Sequence, residues 1–266
     1  MPTLTLFAGP NGSGKSTIVN YILKDNPYPY PPGTYYLNAD DLERQLRNRP
    51  SCDLRTYQLQ ALSLTEWNQF VIASTLTIKI CAVKQITVDD LLDCIKLVRG
   101  SIIIKTVLLE PDSYIAALII DFIRNALIQT GQSFAFETVM SHPDKLDIMQ
   151  RAKEAGFMVR LYYVTTRDPD INVARVKNRV KLGGHPVDKS KIRSRYFGSL
   201  DNLADALRLA DEAYLFDNST DGQSRIDASS IEVAHKNGTD LMVTADEVPE
   251  WYTTYVENKF LNADEQ

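Results

Sequence analysis

The octapeptide Gly9-Pro10-Asn11-Gly12-Ser13-Gly14-Lys15-Ser16, followed by Thr17, constrains this chain more than any other feature. It follows a short apolar run from Thr3 to Ala8. After it comes a helical pattern from Lys15 to Lys24, with Ile18, Val19, Ile22 and Leu23 at helical spacing. Strand, glycine-rich turn and helix, in that order, are the context a phosphate-binding loop requires. Glycines let the backbone aim successive N–H groups at phosphate oxygens, and the helix start adds the positive end of its dipole. In this pattern Lys15 supplies a point charge to the β- and γ-phosphates and the Ser16 hydroxyl ligates Mg²⁺, so ATP or GTP with Mg²⁺ is the expected ligand.

Beyond that loop, alternating strand and helix patterns predict an α/β fold with a mainly parallel, doubly wound sheet. Strands are expected at Thr34 to Leu37, Phe134 to Val139, Met158 to Val164 and Ala213 to Asp217. Helices are expected over Asp144 to Ala155, Ile171 to Val180 and Leu200 to Ala210. The stretch from about Leu46 to Gly131 mixes helical patterns (Leu91 to Val98, Ile115 to Leu127) with β-branched runs (Val71 to Ile80, Ile102 to Val107). It reads as an inserted α+β subdomain. Ile231 to Ala234 and Leu241 to Val243 flank Asn237-Gly238, which predicts a hairpin.

Several function classes drop out. A net charge of −5 argues against coating nucleic acid by bulk charge. Cys52, Cys81 and Cys94 form no CxxC pair and His142, His185 and His235 are scattered, so reduced thiols rather than a zinc site are expected. The first residues lack a basic start and a long apolar stretch, and no run reaches about 18 apolar residues, so neither a signal peptide nor a membrane span is expected. A cytoplasmic protein is the reading.

Three carboxylates fall at or near predicted strand ends, the side of an open parallel sheet where ligands bind: Asp40, Glu137 and Asp217. Phosphoryl transfer needs a carboxylate to deprotonate an acceptor hydroxyl and another to hold substrate or metal. Asp40 is the stronger base candidate, its bland alternative being a helix cap shared with Asp41. Glu137 sits in an otherwise apolar strand, where an unpartnered carboxylate is costly. Asp217 reads as a strand-end turn residue. Nine basic residues between Arg167 and Arg195, against only Asp168, Asp170 and Asp188, surround Gly183-Gly184-His185-Pro186. Such a segment suits a cationic lid over a triphosphate, the alternative being a solvated basic helix face.

Together GPNGSGKST, NADD, SFAFETVMSHPDKLDIMQRAKEAGF and the segment from NVARVKNRVKLGGHPVDKS to EAYLFDNS resemble the zeta-toxin family of P-loop kinases, over residues 1–47 and about 118–220. The resemblance implies a three-layer P-loop kinase core with a mainly parallel sheet in one domain over 1–266. The insertion lies at about 48–117 and a C-terminal hairpin extension at about 221–266. It implies ATP-dependent transfer to a small-molecule hydroxyl, in characterised members that of a UDP-N-acetyl amino sugar. Asp40 then looks like the catalytic base, and Glu137 with Thr138 and His185 like acceptor-binding residues. Lys15, Arg179 and Arg195 would carry charge to the phosphates, with an antitoxin-like protein as a further partner. Where zeta toxins have acid-Asn-acid and Glu-Gly-Thr, this chain has Asn38-Ala39-Asp40 and Glu137-Thr138-Val139. Two other readings remain: a nucleotide-gated module whose insertion binds a protein, and a polynucleotide kinase using Tyr28, Tyr30, Tyr35 and Tyr36.

Overall fold

The structure, a computed structural model, describes residues 1–25, 30–183, 186–219 and 232–261. It forms two compact units, Met1–Thr34 with Ala135–Gln266, and Tyr35–Phe134. Among the described residues no helix is long and apolar enough to cross a membrane.

The first unit opens with β1 (Thr3–Ala8), the glycine loop and α1 (Lys15–Asp25). All six residues of β1 are buried, the pattern of a strand covered on both faces.

The chain then builds the second unit. Its elements are β2 (Tyr35–Leu37), α2 (Ala39–Asn48), β3 (Ser51–Asp53), α3 (Leu64–Ala73), α4 (Thr75–Lys84), α5 (Val88–Cys94), β4 (Ile95–Val98), β5 (Ser101–Ile104) and α6 (Ser113–Gln129). The strands β3, β5 and β4 make a small antiparallel sheet. Nine side chains of α6 are buried, seven of them Ile, Leu or Phe, each contributing about 1.5–3 kcal/mol when fully withdrawn from water. Two sequence expectations change here. Val71 to Ile80 is helical despite its β-branched content. The Ser63–Glu66 capping box starts α3, and the Ser74 hydroxyl accepts from Leu76 N to start α4. Burial of Val71 and Ile80 then outweighs their weak helix propensity. Leu91 to Val98 is not one helix but the end of α5 followed by β4, paired along its length with β5.

The first unit resumes with β6 (Phe134–Thr138), α7 (Asp144–Glu154), β7 (Met158–Thr165), α8 (Pro169–Lys181), α9 (Lys189–Asp201), α10 (Leu203–Leu209), β8 (Glu212–Asp217), β9 (Glu232–Asn237), β10 (Asp240–Val243) and α11 (Glu250–Tyr252), which continues as π-helical turns over Thr253–Leu261. Within this unit the strands lie in the order β10-β9-β8-β7-β1-β6. The pairs β1–β7 and β7–β8 are parallel, while β9 and β10 add an antiparallel hairpin edge. In β7, seven of eight residues are buried. The expected helix from Leu200 to Ala210 is instead two helices meeting at Asn202, whose amide donates to Met140 O at 3.0 Å. Phe7, Tyr162, Tyr214 and His235 share one register across β1, β7, β8 and β9. Neighbouring ring centres lie 5.2, 5.1 and 6.3 Å apart, a row that ties the strands together on that face.

Candidate functional site

β1 ends at Ala8 and α1 starts at Lys15, so residues 9–14 turn the chain at the carboxyl end of a buried parallel strand. Gly9 N donates to Thr138 O at 3.2 Å, which sets the loop beside the end of β6. A Cβ on Gly9 would lie 1.9 Å from Val164 O, and its φ is +138°, so only glycine fits.

Lys15 folds back into this loop. Its Nζ donates to Gly9 O at 2.7 Å and to Pro10 O at 2.9 Å. Loss of water around the ammonium pulls its pKa down to about 8. The Glu137 carboxylate opposes that shift and the Arg179 guanidinium adds to it. The cation is thus already partly desolvated and held among carbonyls.

Ser16 Oγ, on the first turn of α1, donates to Glu137 Oε2 at 3.1 Å. The partner expected for the carboxylate in an apolar strand is therefore in part the loop's own hydroxyl. Thr138, next in β6, is buried, and its Oγ1 accepts from Met140 N at 3.1 Å while its carbonyl holds Gly9. It shapes the turn after β6 and supports the loop through its backbone.

The basic segment reaches the loop at two points. Arg195, on α9, donates from Nη1 to the Asn11 side-chain oxygen at 3.3 Å. Arg179, on the last turn of α8, is exposed and close enough to Lys15 to lower its proton affinity. Arg175 is used elsewhere, donating to Asn218 O at 2.8 Å, and Arg193 pairs with Asp170. His185 lies outside the described residues.

Asp40 belongs to the second unit. It stands on the first turn of α2 with an exposed side chain. The cap alternative does not describe it: Asn38 Oδ1 accepts from Asp40 N and Asp41 N at 2.9 and 3.3 Å, leaving the Asp40 carboxylate free of that task. Asp41 pairs with Arg44. Asp217 is a strand-end residue whose carboxylate accepts from Ser219 N and Trp251 Nε1.

Two residues of this site are not singled out by the sequence: Asn172, on α8, and Asn218, just after β8. Asn172 Nδ2 donates to Asn11 O at 2.7 Å and Asn218 Nδ2 to Ser13 O at 2.8 Å. Their only sequence signal is position, one turn into a basic helix and one residue past a strand end.

Oxygen donors of the kind Mg²⁺ prefers, the Ser16 hydroxyl and the Glu137 carboxylate, meet at the head of α1. Among the described residues no group of three His, Cys, Asp or Glu side chains could hold a metal. An ion carried in on a nucleotide needs only one or two protein oxygens. A separate hollow of about 550 Å³ is lined by Arg167 against Asp168, Asp217, Glu232, Glu247 and Glu250, the wrong charge for a triphosphate.

A glycine loop between a buried strand and a helix, at the carboxyl end of a mainly parallel sheet covered on both faces, defines an α/β core of the P-loop kinase type. The model of the zeta toxin family matches residues 115–222, and the resemblance to zeta-toxin P-loop kinases is borne out. An uncharacterized protein of Haemophilus influenzae is 40% identical over 63 residues, which are 24% of this chain and 45% of that protein. Solved structures share the fold, among them two of the AvrRxo1 complex. The native AvrRxo1-ORF1:-ORF2 complex is 15% identical, covers 99% of this chain and 66% of its own, and has a TM-score of 0.51. The same complex with ATP is 15% identical, covers 98% and 64%, and has a TM-score of 0.50. The chain thus spans less than two thirds of these relatives.

Proposed function

We propose that this protein is an ATP-dependent phosphotransferase acting on a hydroxyl of a small molecule. The observation that carries the reading is the juxtaposition of Lys15, Ser16 and Glu137 at one glycine loop: a desolvated cation, a metal-binding hydroxyl and a carboxylate. The loop amides and Lys15 hold the triphosphate, and Arg179 and Arg195 neutralise charge on the transferring phosphoryl. Ser16 would hold Mg²⁺, which would supply charge neutralisation to the phosphates. Asp40 accepts the proton of the acceptor hydroxyl as its oxygen bonds to the γ-phosphorus, and the bond to the β–γ bridging oxygen breaks to release ADP. Glu137 and His185 bind the acceptor, and Thr138 supports the glycine loop through its backbone. The AvrRxo1 complex solved with ATP supports the choice of nucleotide. A UDP-N-acetyl amino sugar is the first acceptor to try, on the family resemblance.

Incubation with radiolabelled ATP and a panel of UDP-sugars and nucleosides tests the reading. A labelled product is expected, lost in Asp40→Ala while ATP binding persists. Transfer undiminished in Asp40→Ala would remove Asp40 from the role of base.

One observation favours a second reading, a nucleotide-gated binding module. In the second unit α4 buries only Thr77 and Ile80, while Ile78 (71% exposed) and Val83 (58%) face solvent. An antitoxin-like protein is the partner we would place there. This reading predicts ATP binding with no phosphorylated small molecule.

A further inference from the structure

We propose that Asn172 and Asn218 are positioning residues that set the phosphate-binding amides of the glycine loop before any ligand arrives. The inference rests on the nucleotide-binding reading above and deepens it.

Asn172 is fully buried and Asn218 is 3% exposed. They come from two separate segments, α8 and the residue after β8, yet each spends its side-chain NH₂ on a carbonyl of the loop. Asn172 takes Asn11 O and Asn218 takes Ser13 O. These carbonyls belong to alternate peptide groups, 11–12 and 13–14. In a trans peptide the C=O and the following N–H point in opposite directions within one rigid plane. Tying the Asn11 and Ser13 oxygens outward therefore turns the N–H groups of Gly12 and Gly14 inward. Among the described residues no backbone carbonyl accepts either of them. Both remain available to an anion, as preorganised donors must be.

Each asparagine is itself fixed. Thr166 Oγ1 donates to Asn172 Oδ1, so the amide cannot flip without losing a bond. Asn218 N donates to Thr165 O at 2.8 Å and its carbonyl accepts from Arg175. A Cβ on Gly14 would lie 2.0 Å from Asn218 Nδ2, so the close approach needs glycine at that position. Asn218 Oδ1 is buried with no hydrogen-bond partner among the described residues, an arrangement that costs stability. The contact of Asn218 with the loop is the compensating feature.

Leucine has the branched outline of asparagine, is somewhat bulkier, and is uncharged and without a donor. In ¹⁵N-labelled wild-type protein, inorganic pyrophosphate should shift the Gly12 and Gly14 amide signals together with those of Lys15 and Ser16. Asn172→Leu should remove the Gly12 response and keep that of Gly14, and Asn218→Leu the reverse. Each should weaken pyrophosphate and ATP binding about tenfold, the loss of one hydrogen bond's worth of preorganisation. Variants that melt cooperatively and bind pyrophosphate as wild type does would overturn the inference. So would a wild-type titration that moves Lys15 and Ser16 but leaves Gly12 and Gly14 unmoved, a measurement that needs no variant. Intact amide responses in a protein that phosphorylates nothing would leave the inference standing and overturn the kinase reading alone. Wild-type protein that binds neither ligand would overturn both.

Discussion

Ser16 and Glu137 are joined by one hydrogen bond, Oγ to Oε2 at 3.1 Å, across 121 residues of chain. Because the hydroxyl proton goes to the carboxylate, the oxygen lone pairs of Ser16 are left for a cation. The same carboxylate raises the proton affinity of Lys15 next door. One acidic side chain therefore bears on two parts of the nucleotide site, and the charge balance there is testable.

Nucleotide affinity should fall as pH rises through about 8. Lys15 titrates there in the free protein, below the 10.5 of an exposed lysine, because its burial disfavours the charged form. A bound triphosphate favours that form and raises the value. Below about 8 the cation is present before binding. Above it, a proton must be taken up on binding, and affinity is lost by at most about tenfold per pH unit. Calorimetry at pH 8.5 in buffers of different ionisation heat should show proton uptake with ATP, and none at pH 6.5.

Glu137→Gln keeps the side chain's size and removes its charge. The support it lends to the Lys15 cation then disappears, so the pH limb for ATP binding should move to lower pH. Arg179→Met should move it to higher pH, since that guanidinium depresses the lysine. The two shifts have opposite signs. Equal limbs in both variants would show that Lys15 is not the group that titrates.

Gly9→Ala should destabilise the first unit by about 3 kcal/mol or more. The added methyl meets the backbone oxygen of Val164 at 1.9 Å in a buried strand that cannot move aside, at a φ of +138°. Urea unfolding would measure it. Gly156→Ala, whose φ is +79° with open space around the site, should cost only about 1 kcal/mol and serves as the control.

Trp67→Ala tests the second unit by itself. Its indole is fully buried, donates to Ile95 O at 3.0 Å and meets Phe122 edge to face with ring centres 5.1 Å apart. Removing it should cost about 3–5 kcal/mol. A lowered thermal midpoint in the Trp67→Ala protein, with the pyrophosphate response of the glycine loop retained below that midpoint, is the expected outcome.

The readable parts of this protein were those whose signal is local. Lys15 to Lys24 shows its helical period within the sequence and forms α1, and Asn237-Gly238 announces the turn between β9 and β10. The region from Leu46 to Gly131 was harder because its apolar residues are nearly continuous. Val71 to Ile80 carries no clean period of 2 or 3.6, and the deciding groups are the Ser63 and Ser74 hydroxyls that cap α3 and α4. Likewise Leu91 to Val98 looks helical until β5 offers Ile95 and Leu97 partners in a sheet.

From sequence alone came the phosphate loop, since its chemistry lies within eight consecutive residues whose spacing dictates the turn. The identity of the side chains that hold the loop was a matter for the tertiary structure. Asn172 and Asn218 reach it across 161 and 205 residues, and Glu137 reaches it because β6 lies beside β1. An asparagine in a helix or after a strand looks the same whether it faces water or a loop carbonyl. Only the order of strands in the sheet, and the burial that leaves an amide one available acceptor, separates the two.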